Sequence, residues 1–181
     1  MIKVLNTISK KLKFSNDWWE YWIDNYFIPN GSEGEYHYVN SNGATMIIPI
    51  ADNGKFLLNM QYRYLNQRVS IEFPGGGKKK HLTYEENAKF ELMEECGFDT
   101  GKLTYLGEYN PFNGVTNEIT KIYLAEKLIL SQINPDDSEE FEIIEISENE
   151  IIDKIKTGEI WDGMTLAAWS IYYFSTFRRK S

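Results

Sequence analysis

The segment Gly75–Phe98, GGGKKKHLTYEENAKFELMEECGF, restricts the fold more than any other part of the chain. It holds a helix whose two ends are written in the sequence. Thr83 followed three residues later by Glu86 forms a capping box, in which the threonine oxygen takes an amide of the first turn and the glutamate returns to the threonine's own amide. Gly97 supplies the left-handed stop that a side chain resists. The helix is therefore expected over about Tyr84–Cys96, entered from a glycine loop that follows the apolar run VSIEF. Ala88, Leu92 and Cys96 mark its core face.

Beside that face the helix carries charge. Glu91 and Glu95 are four residues apart and nearly superpose on a helix that turns by about 100° per residue, and Glu94 lies within roughly 100° of both. Like charges at this spacing repel by a few tenths of a kcal/mol unless a cation offsets them. A hard divalent ion such as Mg²⁺ takes oxygen ligands and often keeps waters or binds substrate phosphates as well. A solvated acidic face explains three glutamates taken alone, so their context has to decide.

That context is a sheet. WWEYWIDNYFIPNGSEGEYHYV reads as two aromatic-rich strands around a turn in which Asn30-Gly31 tolerates positive φ. ATMIIPIA and KFLLNMQYR are apolar strands separated by Asp52-Asn53-Gly54, and VSIEFPGGG is a strand that runs into the glycine loop. After the helix, KLTYLGEYN, KIYLAEKLIL and FEIIEIS read as strands, and ENEIIDKIKTG and MTLAAWSIYYFSTF as helices separated at Gly158. Strands with helices on both sides imply an α/β class protein, an α/β/α sandwich. The expected organisation is an extension with an aromatic hairpin over 1–45 and one main domain over 46–181. At 181 residues such a chain buries a self-sufficient core.

Composition excludes some functions. With 19 Lys and Arg against 27 Asp and Glu the net charge is -8, which disfavours nucleic acid as a partner because that needs a basic surface. An acidic protein that handles phosphates needs cations as intermediaries. The single cysteine, Cys96, cannot form a disulfide within the chain, and no signal-peptide pattern or bilayer-length apolar run is present, so a cytoplasmic protein without a membrane partner is expected.

The stretch around the glutamates resembles the signature of the Nudix hydrolases, G-x5-E-x7-R-E-U-x-E-E-x-G-U with U aliphatic. Anchored on Glu91-Leu92-Met93-Glu94-Glu95-Cys96-Gly97-Phe98, it starts at Gly76. Two positions depart: the signature's first glutamate falls on Leu82 and its arginine on Phe90. Further blocks, including GKFLLNMQYRYLNQRVSIEFPGG, YNPFNGVTNEITKIYLAEKL and GEIWDGMTLAAW, extend the likeness to the ADP-ribose and nucleoside-diphosphate-sugar pyrophosphatase branch over about Phe14–Tyr173.

The resemblance implies the Nudix fold with a mixed β-sheet, and hydrolysis of the pyrophosphate bond of a small-molecule nucleotide substrate, ADP-ribose or a nucleotide sugar. The cofactor implied is Mg²⁺, with Mn²⁺ as the other candidate. Glu91 and Glu95 become metal ligands, Glu94 a further ligand or catalytic group, and the Gly75 carbonyl another ligand. Glu139 or Glu140, in NPDDSEEFE, is the implied general base. Arg63 and Glu72 match substrate-contacting positions. Lys78, Lys79 and Lys80 either attract a polyanion or are simply solvated. Trp18, Trp19 and Trp22 suit stacking on a base or, in better agreement with a branch that commonly pairs through its N-terminal strands, the interface of a homodimer. Leu82 and Phe90 replace a charged pair together, which is consistent with an apolar brace between them. The alternative is a weakened domain that binds nucleotides or a protein partner without turnover.

Overall fold

A computed structural model describes residues 4–131 and 142–180. Glu139 and Glu140 lie outside them. The chain opens with three antiparallel strands in sequence order, β1 (Asn6–Ser15), β2 (Trp19–Phe27) and β3 (Glu33–Ser41). The turn between β2 and β3 is the one expected from Asn30-Gly31. Gly31 has φ 91°, and Asn30 Oδ1 accepts from the Ser32 amide at 3.0 Å and the Ser32 hydroxyl at 2.7 Å. β1 was not anticipated. All ten of its residues are exposed, and three lysines and two register shifts interrupt its alternation, so it carries no burial pattern to read.

The fold after β3 is built on β4 (Ala44–Pro49), whose six residues are all buried. It pairs in parallel with β9 (Thr120–Leu130) and antiparallel with the short glycine strand β7 (Gly75–Gly77), and β9 pairs antiparallel with β8 (Phe98–Tyr109). A second sheet has β5 (Phe56–Arg63) between β10 (Glu142–Ile146) and β6 (Arg68–Glu72). Three helices, α1 (Tyr84–Cys96), α2 (Glu148–Thr157) and α3 (Gly163–Lys180), complete the fold.

Side chains alternate across a strand, and β4 and β9 use both faces. Met46, Ile48, Ile122 and Leu124 pack with Ile151 of α2 and with Ala168 and Trp169 of α3. Ile47, Tyr123 and Ala125 pack with Ala88, Leu92 and Cys96 of α1. Helices on opposite faces of one mixed sheet give the expected α/β/α sandwich. Full burial of an isoleucine such as Ile47 or Ile48, both 0% exposed, contributes about 1.5–3 kcal/mol.

The segment VSIEFPGGG divides differently from the sequence expectation. Its first part is β6 in one sheet, and its glycines form β7 in the other, with Met46 opposite Gly75 and Thr45 opposite Gly76. Pro74 lies between the two, and its carbonyl accepts from the Ile47 amide at 2.9 Å. The chain crosses from sheet to sheet directly before α1.

Both expected ends of α1 are present. Thr83 Oγ1 accepts from the Glu86 amide at 3.2 Å, Glu86 Oε2 accepts from the Thr83 amide at 2.8 Å, and Gly97 closes the helix at φ 72°. The Thr83 amide, and then its hydroxyl, hold the Glu86 carboxyl below the usual carboxylate range. A depressed folded value means this contribution is present above the ordinary glutamate pKa and is lost as pH falls through the lower folded one. Removing the cap with Thr83→Ala is expected to lower stability by about 1 kcal/mol. The measurement is the urea midpoint at neutral pH, which should fall at unchanged slope; an unshifted midpoint contradicts the cap's role.

Candidate active site

β7 lies between β4 and α1, and two of its glycines have no room for a side chain. A Cβ on Gly75 would sit 2.3 Å from the Thr45 carbonyl oxygen, a backbone clash, so glycine there is demanded by the sheet. A Cβ on Gly76 would sit 2.6 Å from Glu91 Oε2. Here the space is taken by a carboxylate.

Glu91 and Glu95 are 6% and 8% exposed, and both line a cleft of about 680 Å³. Buried carboxylates need donors. Glu95 Oε2 accepts from Asn59 Nδ2 at 2.8 Å and from the Gly75 amide at 3.0 Å. Glu91 Oε1 accepts from Asn87 Nδ2 at 3.3 Å, and the same nitrogen donates to Thr45 Oγ1 at 2.9 Å. Asn87 Oδ1 in turn takes the Lys79 amide at 2.9 Å, which fixes the loop ahead of the helix. Asn59 is wholly buried, and its Oδ1 accepts from the Cys96 thiol at 3.4 Å. Burial pushes that thiol's pKa up, so Cys96 stays protonated and serves as a donor, not a nucleophile.

Of the other residues singled out by sequence, Glu94 and Arg63 line the same cleft. Glu94 is part exposed and faces Lys79 Nζ at 3.9 Å. Arg63 forms a two-pronged pair with Glu72: Nε donates to Oε1 at 2.8 Å and Nη2 to Oε2. The hydrogen bonds it donates to Glu72 raise the guanidinium's pKa against the effect of burial. Glu72 itself is 3% exposed and is bound to Arg63, so of that pair it is the arginine that faces the cleft.

Trp18 and Trp19 also line this cleft, and Trp22 instead donates its indole N–H to Glu20 Oε2 at 2.8 Å. Asn59, Asn87 and the contact of Lys79 were missed by the sequence reading. Asn87 had a signal, since it stands four residues before Glu91 on the same helical face. The face of Phe90 carries the Lys79 ammonium, 3.3 Å from the ring centroid. The loop is held by polar contacts: Lys78 Nζ donates to the Lys79 and Leu82 carbonyls at 3.1 and 2.9 Å.

Among the described residues no three or more of the His, Cys, Asp and Glu side chains are arranged to enclose an ion. The donor set instead suits a hard cation bound through one or two carboxylates, waters and a substrate's phosphates, which is how Mg²⁺ is commonly held. Glu91 and Glu95, oxygen donors at the wall of an open cleft, fit that mode.

Comparison with known proteins agrees with this geometry. The family model for the NUDIX domain matches residues 41–168. The ADP-ribose pyrophosphatase of Bacillus subtilis (strain 168) is 30% identical over 169 residues, 92% of this chain and 90% of that protein. The methanol dehydrogenase activator of Bacillus methanolicus is 28% identical over 148 residues, 81% of this chain and 80% of that protein. A GDP-mannose pyrophosphatase of Escherichia coli is 26% identical over 137 residues, 71% of this chain and 72% of the relative. A crystal structure of an ADP compounds hydrolase shares the fold, with a TM-score of 0.86 over 99% of this chain and 97% of that one at 18% identity. With a glycine strand and a capped helix setting its glutamates into one cleft, and a family match over most of its length, this chain belongs to the Nudix family of pyrophosphohydrolases.

Proposed function

We propose that this protein hydrolyses the pyrophosphate bond of a nucleoside diphosphate joined to a second moiety, with ADP-ribose or a nucleotide sugar as substrate and Mg²⁺ as the ion. The observation that carries this reading is the pair of buried carboxylates, Glu91 and Glu95, each fixed by a donor and opening on a cleft that also holds Arg63. The first relative above acts on ADP-ribose and the third on GDP-mannose, and both are matched over more than two thirds of their length. Because the carboxylates and their donors are complete, nothing in the site favours a non-catalytic binding module.

In the proposed mechanism a water oxygen bonds to one phosphorus, the bridging P–O bond breaks, and two phosphate monoesters leave. A divalent ion held by Glu91 and Glu95, with the Gly75 carbonyl, would lower the pKa of a water and stabilise charge on phosphoryl oxygens. The chain's own part is placement. Asn59 and the Gly75 amide hold Glu95, and Asn87 holds Glu91, so neither carboxylate must reorganise when substrate arrives. Arg63 has five N–H donors, and only two are spent on Glu72, so it can take a phosphate while Glu72 keeps the guanidinium plane fixed. Glu139 or Glu140, in the segment between β9 and β10, is assigned to accept the water's proton, with Glu94 as a further ligand or orienting group.

The N-terminal sheet is proposed to pair two copies of the chain. β1 leaves Ile8, Leu12 and Phe14 exposed on a strand with one free edge, a surface that a second copy would cover. Sedimentation should then give twice the chain's mass, and Ile8→Glu with Leu12→Glu should give single chains; a monomeric parent protein rules the pairing out.

For the reaction, the purified protein is expected to turn over ADP-ribose or a sugar nucleotide in a panel that includes dinucleotides and nucleoside triphosphates, and to stop when EDTA is added. Glu95→Gln should lower kcat by about 100-fold or more, the scale at which small misplacements of reacting groups act, with little change in the melting curve. Full activity in that variant would remove Glu95 from the site, and no turnover of any compound by the parent protein would end the enzymatic reading.

A further inference from the structure

Where the Nudix signature has arginine, this chain has Phe90, and α1 therefore has no cation at that position, its neighbour Lys89 facing Glu85 instead. The structure brings one from the loop. Lys79 Nζ lies 3.3 Å from the centre of the Phe90 ring and 3.9 Å from Glu94 Oε2. Residues 90 and 94 are one helical turn apart and present neighbouring surfaces, so one ammonium rests on the first and faces the second.

The lysine is held there from behind. Its amide donates to Asn87 Oδ1 at 2.9 Å, and its carbonyl accepts from Lys78 Nζ at 3.1 Å and from the Leu82 amide at 3.1 Å. Lys78 Nζ also reaches the Leu82 carbonyl at 2.9 Å, so the turn from 78 to 82 is clasped by its own lysine. Asn87, which fixes the turn, is the residue that also holds Glu91. The backbone that carries Lys79 is thus referenced to the same helix face as the carboxylates.

We propose that Lys79 is the positioning residue for Glu94, a cation moved from the helix to the loop, with the Phe90 ring as its seat. The inference deepens the hydrolase reading above and rests on it. It also accounts for the second departure: with no arginine at position 90, a glutamate at 82 has lost its partner, and the loop is anchored instead through Lys78 and Asn87. Lys79 and Glu94 retain 40% and 30% side-chain exposure, so solvent screens their attraction and the pair matters for where Glu94 points more than for stability.

Lys79→Met is expected to lower kcat by about 10–100-fold, the range seen when a group that orients a metal-site ligand is removed, with KM and the melting temperature nearly unchanged. Adding Phe90→Arg to Lys79→Met should recover most of the loss, because a cation at position 90 reaches position 94 along the helix. A merely structural lysine would not be replaced by a charge on another element. Independently of turnover, the ε-methylene protons of Lys79 should show an upfield ring-current shift by NMR that disappears in Phe90→Leu. Unchanged kcat in Lys79→Met, no recovery in the double variant, or no upfield shift would each overturn the proposal. If the parent protein turns over substrate and Lys79→Met does so equally well, this proposal alone fails; if the parent turns over nothing, the functional reading fails with it.

Discussion

One carboxylate oxygen joins three parts of the fold. Glu95 Oε2 sits on α1 and takes hydrogen bonds from Asn59 of β5 and from the backbone of Gly75 in β7, strands that belong to different sheets. A glutamate that is 8% exposed is costly to bury without such donors, so the two sheets and the helix are brought together where that cost is met. The site follows from the same contact. Glu91, one turn earlier on α1, is brought beside Gly76, and the cleft opens where β7 has no side chains to fill it.

How much of this could be read from the sequence depended on the range of each interaction. α1 was legible to its end residues because its signals are local: Thr83 with Glu86 at one end and Gly97 at the other. The stripe of glutamates was legible because helical geometry relates positions 91, 94 and 95 without knowledge of anything else. Asn59 was not. Its partner Glu95 is 36 residues away, and nothing in KFLLNMQYR distinguishes a buried asparagine that orients a carboxylate from one that faces solvent. β1 was hidden for the opposite reason, since a fully exposed strand imposes no pattern on its sequence. The break of VSIEFPGGG into two sheets was marked by Pro74, yet the pairing of three glycines as a strand comes from β4, a non-local partner.

Charge placement reconciles an acidic protein with the polyanionic substrate proposed for it. The chain carries -8 overall, which repels a nucleotide at long range. Around the cleft, however, Arg63, Lys78, Lys79 and Lys80 stand with Glu91, Glu94 and Glu95, so the wall alternates in sign. Screening at physiological ionic strength limits the reach of the distant charges to about 8 Å, and a ligand inside the cleft responds mainly to its immediate lining. On the proposed reading the carboxylates then meet a cation and Arg63 meets phosphate.

Gly75 and Gly76, the first two of the three glycines of β7, show how fold and function come to share a residue type for different reasons. Gly→Ala on an accommodating backbone commonly stabilises a protein by about 0.4–1 kcal/mol, so an unneeded glycine is a stability gain left unused. At Gly75 the gain is blocked by the Thr45 carbonyl of β4, a backbone atom that no side-chain rearrangement can move aside. At Gly76 the obstacle is only the Glu91 carboxylate, the end of a side chain. A fold without that glutamate would tolerate alanine at 76 and still refuse it at 75. The requirement at 75 is therefore imposed by the sheet, whereas the requirement at 76 exists only because a carboxylate must sit against that strand.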